Sequence, residues 1–275
     1  MRSELAGVAW LVGLSGGLGL GLERVQVIAH RADDGTDGAR AVVRAVREAA
    51  EANARLPQRG APGAKAPFRR SGDELTAYYV RAAAAAARKL PADKAPGAFL
   101  VGLGVGLDHS TILRDNPLTR KLCRRIESDA ERKKRLDALG SPTMRGRRDS
   151  CQHFVVSCAL VEVVGAPLAE AAGLYKEVKD SQGGSGFSFI DLCADLAGIE
   201  LATRLKKGEL KLAALEKGYR VEDFLPEFTG LREDLQAAQF AKDYGSLRDK
   251  RFLAELEKVR SRVRALPVYK QKKKS

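Results

Sequence analysis

Three apolar stretches in the middle of the chain each carry two side chains that could bind a metal ion or transfer a proton. The members of each pair are three or four residues apart, so on a helix they share one face. The pairs are Asp149 with His153, Glu177 with Asp180, and Asp191 with Asp195. Ionised carboxylates are rarely buried unless they are paired or bound to a metal. We therefore expect these six side chains to meet in one polar cluster inside a helical bundle.

Three interpretations fit this set of residues. The first is a metal site with all six side chains as candidate ligands, and its oxygen donors with one histidine would suit Mg²⁺, Mn²⁺ or Fe better than structural zinc. The second is acid–base catalysis, with His153 as the base and Asp149 or Asp191 orienting it. The third is structural: Asp191 caps a helix while His153 pairs with a carboxylate and holds the bundle in register. Because ion-pair networks resemble functional sites, we favour the structural interpretation.

Basic side chains adjoin two of these pairs. Arg147 and Arg148 directly precede Asp149, and a guanidinium group fits the geometry of a phosphate. We predict both arginines as anion contacts if the site belongs to a metal-dependent hydrolase with a phosphorylated or envelope-derived substrate. Lys176 adjoins Glu177 in sequence but would point about 100° away from it on a helix. The spacing therefore gives no ground to assume that Lys176 neutralises Glu177.

The elements that must position the cluster are three apolar helices, predicted over residues 149–164, 168–180 and 187 or 188 to about 206. Gly165 and Pro167 separate the first two, because glycine ends helices and proline cannot continue one. The stretch SQGGSG predicts a tight turn before the third helix. Ser188 is a natural N-cap for that helix, with Asp191 in its first turn.

Shorter helices are expected around this core. Helical patterns cover residues 40–56 and 71–90, and Ser71 with Glu74 predicts a capping box. The apolar, glycine-spaced residues 98–108 fit a short helix or a buried strand, and we favour the helix. We predict an all-α helical bundle with a buried polar cluster and peripheral short helices. Its segments are a signal peptide or N-terminal anchor over 1–29, N-terminal helices and a Pro/Gly-rich linker over 30–95, a helical core domain over 96–269, and a basic tail over 270–275.

The composition limits the class of protein. Of the 275 residues, 44% are hydrophobic and 30% charged, which excludes global disorder, and only 6% are aromatic, which favours helices over a β-sandwich. The net charge of +13 permits binding to nucleic acid, to anionic lipid or to an acidic polymer. No nucleic-acid-binding motif accompanies that charge. The four cysteines form no CxxC pair, which excludes a zinc knuckle, so we expect free buried thiols, with a Cys158–Cys193 bridge as the open alternative.

The first residues indicate export. Arg2 precedes an apolar run over residues 5–22, and the small residues of VIA at 27–29 are typical of a signal-peptidase site. We therefore expect a periplasmic or envelope-associated protein. The alternative is a cytoplasmic protein in which this segment is buried.

The stretch DSCQHFVVSCAL … GLYKEVKDSQGGSGFSFIDLCADLAGI resembles a pattern of YfiM-like predicted bacterial lipoproteins, D-x-x-x-H-F … K-E-x-x-D … G-F-S-x-x-D-L-x-A-D-x-x-G. It is more distantly similar to the VanZ-like membrane family. The resemblance covers residues 149 to about 201, a fifth of the chain. It implies an envelope-associated helical module, the six paired residues as motif positions, and Gly198 as a close-packing glycine. Ser150 stands where the pattern usually has lysine.

These observations predict an envelope-associated helical protein whose buried Asp/His/Glu cluster has a structural or binding role. The expected partner is an anionic envelope polymer or a membrane surface. Charged residues within the apolar helices predict a water-soluble core, because charge is costly in a bilayer. The alternatives are the metal-dependent hydrolase and a nucleic-acid-binding protein that acts through its basic surface.

Overall fold

The computed structural model of the chain describes residues 36–61 and 66–270. The segment predicted as a signal peptide or anchor, residues 1–29, lies outside the described residues. So do the middle of the Pro/Gly-rich linker and all but the first residue of the basic tail.

The described residues form an all-α structure, which confirms the predicted fold class. They contain only isolated β-bridges and no strands. The helices are α1 (Thr36–Ala54), α2 (Gly72–Ala87), α3 (Ala95–Leu107), α4 (Ile112–Asp115), α5 (Arg120–Ile126), α6 (Asp129–Leu139), α7 (Arg148–Val164), α8 (Ala166–Ser181), α9 (Phe189–Lys206), α10 (Leu212–Gly218), α11 (Val221–Phe224), α12 (Ala237–Tyr244) and α13 (Lys250–Arg264). A short 3₁₀ helix, Pro267–Tyr269, follows.

Helices α7 and α9 form the centre of the bundle and pack along each other over most of their length. Helix α8 packs against both of them, α3 covers α7, and α13 covers α9. Helices α1 and α2 pack against α3, and their buried side chains belong to the same continuous hydrophobic core. The three helices that carry the paired residues are therefore mutual neighbours.

A glycine sets the distance between α7 and α9. A Cβ atom at Gly198 would lie 2.2 Å from the backbone oxygen of Phe154, closer than two such atoms can approach. The thiol of Cys158 on α7 donates a hydrogen bond of 3.3 Å to the backbone oxygen of Gly198. Gly198 thus has the close-packing position that the resemblance implied.

Most of the residues that were predicted to begin or end the core helices do so in the structure. Gly165, with φ of 85°, ends α7, and α8 begins directly after it because Pro167 is accommodated in its first turn. The side chain of Ser188 accepts a hydrogen bond of 3.0 Å from the backbone N–H of Asp191, which confirms the predicted N-cap of α9.

The capping box predicted at Ser71 is wrong. The Ser71 side chain makes no capping hydrogen bond, and the carboxylate of Glu74 pairs instead with Arg70, 3.6 Å away. A complete capping box is found at α6. There the side chain of Glu131 accepts from the backbone N–H of Ser128, and the Ser128 hydroxyl accepts from the backbone N–H of Glu131.

The four cysteines are free and buried, so the alternative of a Cys158–Cys193 bridge is wrong. Cys158 instead donates to the backbone of α9, and Cys193 lies in the hydrophobic core. In the described part of the chain, no helix combines the length and the apolar character needed to cross a membrane.

Candidate functional site

His153 lies where α7, α8 and α9 meet, and carboxylates face both of its ring nitrogens. Its Nδ1 is 3.1 Å from Oδ1 of Asp195, and its Nε2 is 3.6 Å from Oδ2 of Asp191. The hydroxyl of Ser157, one turn further along α7, donates a hydrogen bond of 2.7 Å to the same Oδ1 of Asp195. Asp195 is thereby held by two side chains of α7. The longer distance from Nε2 to Asp191 is beyond hydrogen-bond range.

Glu177 brings a third carboxylate to this point from α8. Its side chain is fully buried, and Oε2 accepts a hydrogen bond of 2.8 Å from the backbone N–H of Ser188. His153, Glu177 and Asp191 each offer one ligand atom, and these three atoms all lie within 4.8 Å of one another. We call His153, Glu177 and Asp191 the triad.

The other three predicted site residues lie around the triad. Asp195 contacts the far nitrogen of His153, and Asp180 lies at the edge of α8 with its side chain 27% exposed. Asp149 lies near the surface, with its side chain 47% exposed. The structure thus brings three of the six predicted ligands into one compact group and places the other three beside it.

The side chain of Lys176 reaches Glu177, a contact that the helical spacing had left open. Its Nζ lies 3.2 Å from Oε1 of Glu177 and 2.7 Å from Oδ2 of Asp180. The lysine stem is long and flexible enough to reach back around the helix, and Asp180 attracts it because residues four apart are neighbours on a helix surface. Lys176 therefore brings a positive charge to the cluster from α8.

The two arginines predicted as anion contacts differ in their surroundings. Arg147 approaches Asp149 through two nitrogens, at 2.8 and 3.2 Å, and also lies 2.8 Å from Glu233. Burial acts in the opposite direction, but hydrogen bonds from Arg147 and from the backbone N–H of Ser150 lower the pKa of Asp149. Arg148 is exposed at the start of α7. An anion-binding role for the pair stays a prediction.

Burial and neighbouring charge set the protonation states of the triad. Burial raises the pKa of Glu177 to about 7, although Lys176 opposes this effect, and burial also raises the pKa of Asp191 against the influence of His153. Burial alone would lower the pKa of His153, but Asp195 and Asp191 outweigh it and raise that pKa to about 9. Without a bound metal ion, this upward shift of the pKa favours the protonated form of His153. A protonated imidazole cannot act as a general base.

Two carboxylate oxygens in the cluster have no hydrogen-bond partner among the described residues. They are Oδ1 of Asp191 and Oδ2 of Asp195, and both atoms are buried. Oδ2 of Asp195 faces the backbone of α8, where a Cβ atom at Gly173 would lie 2.7 Å from it. A buried charged oxygen without a partner is costly, so each is an unusual feature of a folded protein.

Three contributors to the cluster were absent from the sequence-based set. Ser157 follows His153 by four residues, so the same helical spacing that paired the other residues could have identified it. Gly173 carries no chemical group, and its contact with Asp195 depends on how α8 docks on α9. The contact of Lys176 with Glu177 depends on its side-chain conformation, which spacing along the helix does not determine.

Comparisons of the chain with protein-family models, with curated proteins and with solved structures found no match. The resemblance to YfiM-like and VanZ-like proteins stays a prediction. The site is therefore interpreted from its own chemistry.

Proposed function

We propose that this protein is a metal-binding protein whose triad holds one divalent cation. The observation that carries the proposal is the convergence of one nitrogen and two oxygen ligand atoms, from three helices, within 4.8 Å. Asp191 adds independent support, because it is nine-tenths buried and one of its oxygens has no hydrogen-bond partner among the described residues. Metal coordination is one of the few ways in which proteins satisfy such an oxygen.

The surroundings of His153 suit a metal ligand. Its Nδ1 lies beside Asp195, and a hydrogen bond from Nδ1–H to a carboxylate leaves the lone pair of Nε2 for a cation. Ser157 fixes Asp195 in turn. Nε2 is on the side of the ring that faces Asp191. In many proteins a carboxylate that accepts a hydrogen bond from one ring nitrogen orients a histidine whose other nitrogen binds a metal ion.

The local charge also favours a cation. Carboxylates in and around the cluster outnumber the permanent positive charges of Arg147 and Lys176. These carboxylates are Asp149, Glu177, Asp180, Asp191 and Asp195. A divalent ion would offset most of the excess negative charge and would replace the proton on His153. One imidazole with two carboxylates suits Mn²⁺ or Fe²⁺, and Mg²⁺ if further water ligands complete its shell.

Elemental analysis of the purified full chain, after incubation with each metal and removal of the excess, tests this proposal. We expect about one divalent ion per chain, and loss of that ion in His153→Ala and in Asp191→Ala. Asp149→Asn is the matched control, because it removes a carboxylate next to the cluster that pairs with Arg147, and it should keep the metal. A wild-type chain that binds none of the metals would contradict the proposal, as would folded triad variants that keep the ion.

A second candidate function is a polar layer that holds α7, α8 and α9 in register. The contact of Lys176 with both Glu177 and Asp180 favours it, because Lys176 already supplies part of the balancing charge. In that case the wild type would contain no metal. Asp191→Ala would then destabilise the fold by about 1–3 kcal/mol, because it removes the carboxylate that faces Nε2 of the buried His153.

We also propose that the protein works in the bacterial cell envelope. The apolar run at residues 5–22, the small residues at 27–29 and the resemblance to envelope proteins support this location. Mass spectrometry of the protein from its native host would detect a mature chain that begins near residue 30. A chain that still begins at Met1 in the cytoplasmic fraction would exclude the location.

A further inference from the structure

We propose, on the basis of the metal site proposed above, that Lys176 is an internal cation that contacts both Glu177 and Asp180 in the metal-free protein, and that it releases Glu177 and keeps Asp180 when the metal binds. Lys176 and Asp180 would then set the metal affinity of the triad without being ligands. Among the described residues, Lys176 has the only lysine or arginine side chain within ion-pair distance of Glu177.

The position of the ammonium group carries this proposal. Nζ of Lys176 lies 3.2 Å from Oε1 of Glu177, while the other oxygen of Glu177 accepts the backbone N–H of Ser188. Oε1 is therefore the oxygen that the backbone leaves for a cation.

A metal ion and an ammonium group would repel each other strongly at this point. Glu177 is fully buried, and repulsion between like charges is screened less inside a protein than in water. The side chain of Lys176 is 35% exposed and has several rotatable bonds, so it is the mobile partner. Divalent binding therefore displaces Lys176 rather than sharing Glu177 with it.

Asp180 can hold the ammonium group of Lys176 after that group leaves Glu177. Its Oδ2 already lies 2.7 Å from Nζ, the shorter of the two contacts that Lys176 makes. Asp180 is also partly exposed, so the pair can remain there in contact with solvent. Metal binding then breaks the contact of Lys176 with Glu177 and leaves its contact with Asp180 intact.

Titration of the metal-free full chain with Mn²⁺, followed by calorimetry, tests the proposal. Lys176→Met should bind Mn²⁺ at least about fivefold more tightly than the wild type, a typical size for coupling between two sites. Lys176→Gln, which is polar and uncharged, should do the same, and it serves as the second variant if Lys176→Met does not fold. Lys179→Met is the control for net charge, because Lys179 is exposed on the same helix. This variant should bind Mn²⁺ as tightly as the wild type.

Asp180→Asn distinguishes an action through Lys176 from direct ligation. We expect this variant to bind Mn²⁺ more weakly, because Lys176 then has only Glu177 as a charged partner. In a Lys176→Met background the same change should have no further effect, since residues that act through one interaction are not additive. A further loss of affinity in that background would show Asp180 to be a ligand and would overturn its proposed role.

The failure of this proposal is distinguishable from the failure of the metal function. Unchanged or weaker binding in both Lys176 variants, with a wild type that binds Mn²⁺, would overturn the role of Lys176 and leave the metal site standing. A lack of Mn²⁺ binding in the wild type and in both Lys176 variants would overturn both proposals.

Discussion

Replacing Arg135 with methionine is expected to lower the free energy of unfolding by about 3–5 kcal/mol, because it breaks a buried ion pair and leaves one charge uncompensated. Arg135 and Glu127 are 1% and 2% exposed, and two nitrogens of the guanidinium bind the two carboxylate oxygens at 2.7 and 2.9 Å. The third nitrogen donates to the backbone oxygens of Gly106 and Asp108 at the end of α3. The variant would leave Glu127 buried without a counter-charge.

Urea unfolding followed by circular dichroism would measure the effect. Lys133→Met is the matched control on the same helix, because Lys133 pairs with Asp137 in a largely exposed position where solvent screens the pair, so the stability of this variant should stay close to that of the wild type. The double variant Glu127→Leu with Arg135→Met should recover part of the loss, since it removes both charges. Equal stability of Arg135→Met and Lys133→Met would contradict this account of the buried pair.

Gly198→Ala is expected to cost about 3 kcal/mol, the upper end of the usual range for overpacking a core. The added Cβ would meet the backbone oxygen of Phe154 at 2.2 Å, and a backbone atom cannot move aside as the end of a side chain can. Helices α7 and α9 would have to separate. That movement would draw His153 away from Asp191 and Asp195, so Mn²⁺ binding should weaken along with stability.

Thermal unfolding and Mn²⁺ titration of this variant would check both effects. Gly218→Ala is the matched control, because a Cβ atom at Gly218 would have no neighbour within 4 Å. That substitution should be neutral or slightly stabilising, since alanine favours a helix over glycine. If Gly198→Ala unfolds like the wild type, the contact at Phe154 does not limit the approach of the two helices.

Patterns along the chain were sufficient to predict the helices that form the centre of the fold. The apolar runs, the break at Gly165 and the cap at Ser188 depend on neighbouring residues, and they appear in the structure close to where they were predicted. The same local periodicity placed His153, Asp191 and Asp195 on inward faces. Because side chains three or four residues apart share a face, spacing along the helix was sufficient to predict that Asp191 and Asp195 both face the cluster, where each approaches His153.

The grouping of these pairs with other residues was decided by tertiary structure. Asp149 has the spacing of a ligand, yet it lies near the surface because Arg147 and Glu233 form an ion-pair group there, and Glu233 is distant in sequence. The capping signal at Ser71 failed for a local reason instead, because Glu74 pairs with Arg70, four residues before it in the sequence.

The charged segment before α7 shows the same limit more clearly. Nothing in the composition of this segment distinguishes Arg135 from its exposed neighbours Lys133 and Lys134. The burial of Arg135 depends on the meeting of α6 with the end of α3 and with Glu127. Likewise, Lys176 reaches Glu177 through its side-chain conformation, which helical spacing does not specify. Sequence thus determined the helices and the faces that carry chemistry, while the packing of distant helices decided which charges meet, because the energy of a charge depends on its burial and its partners.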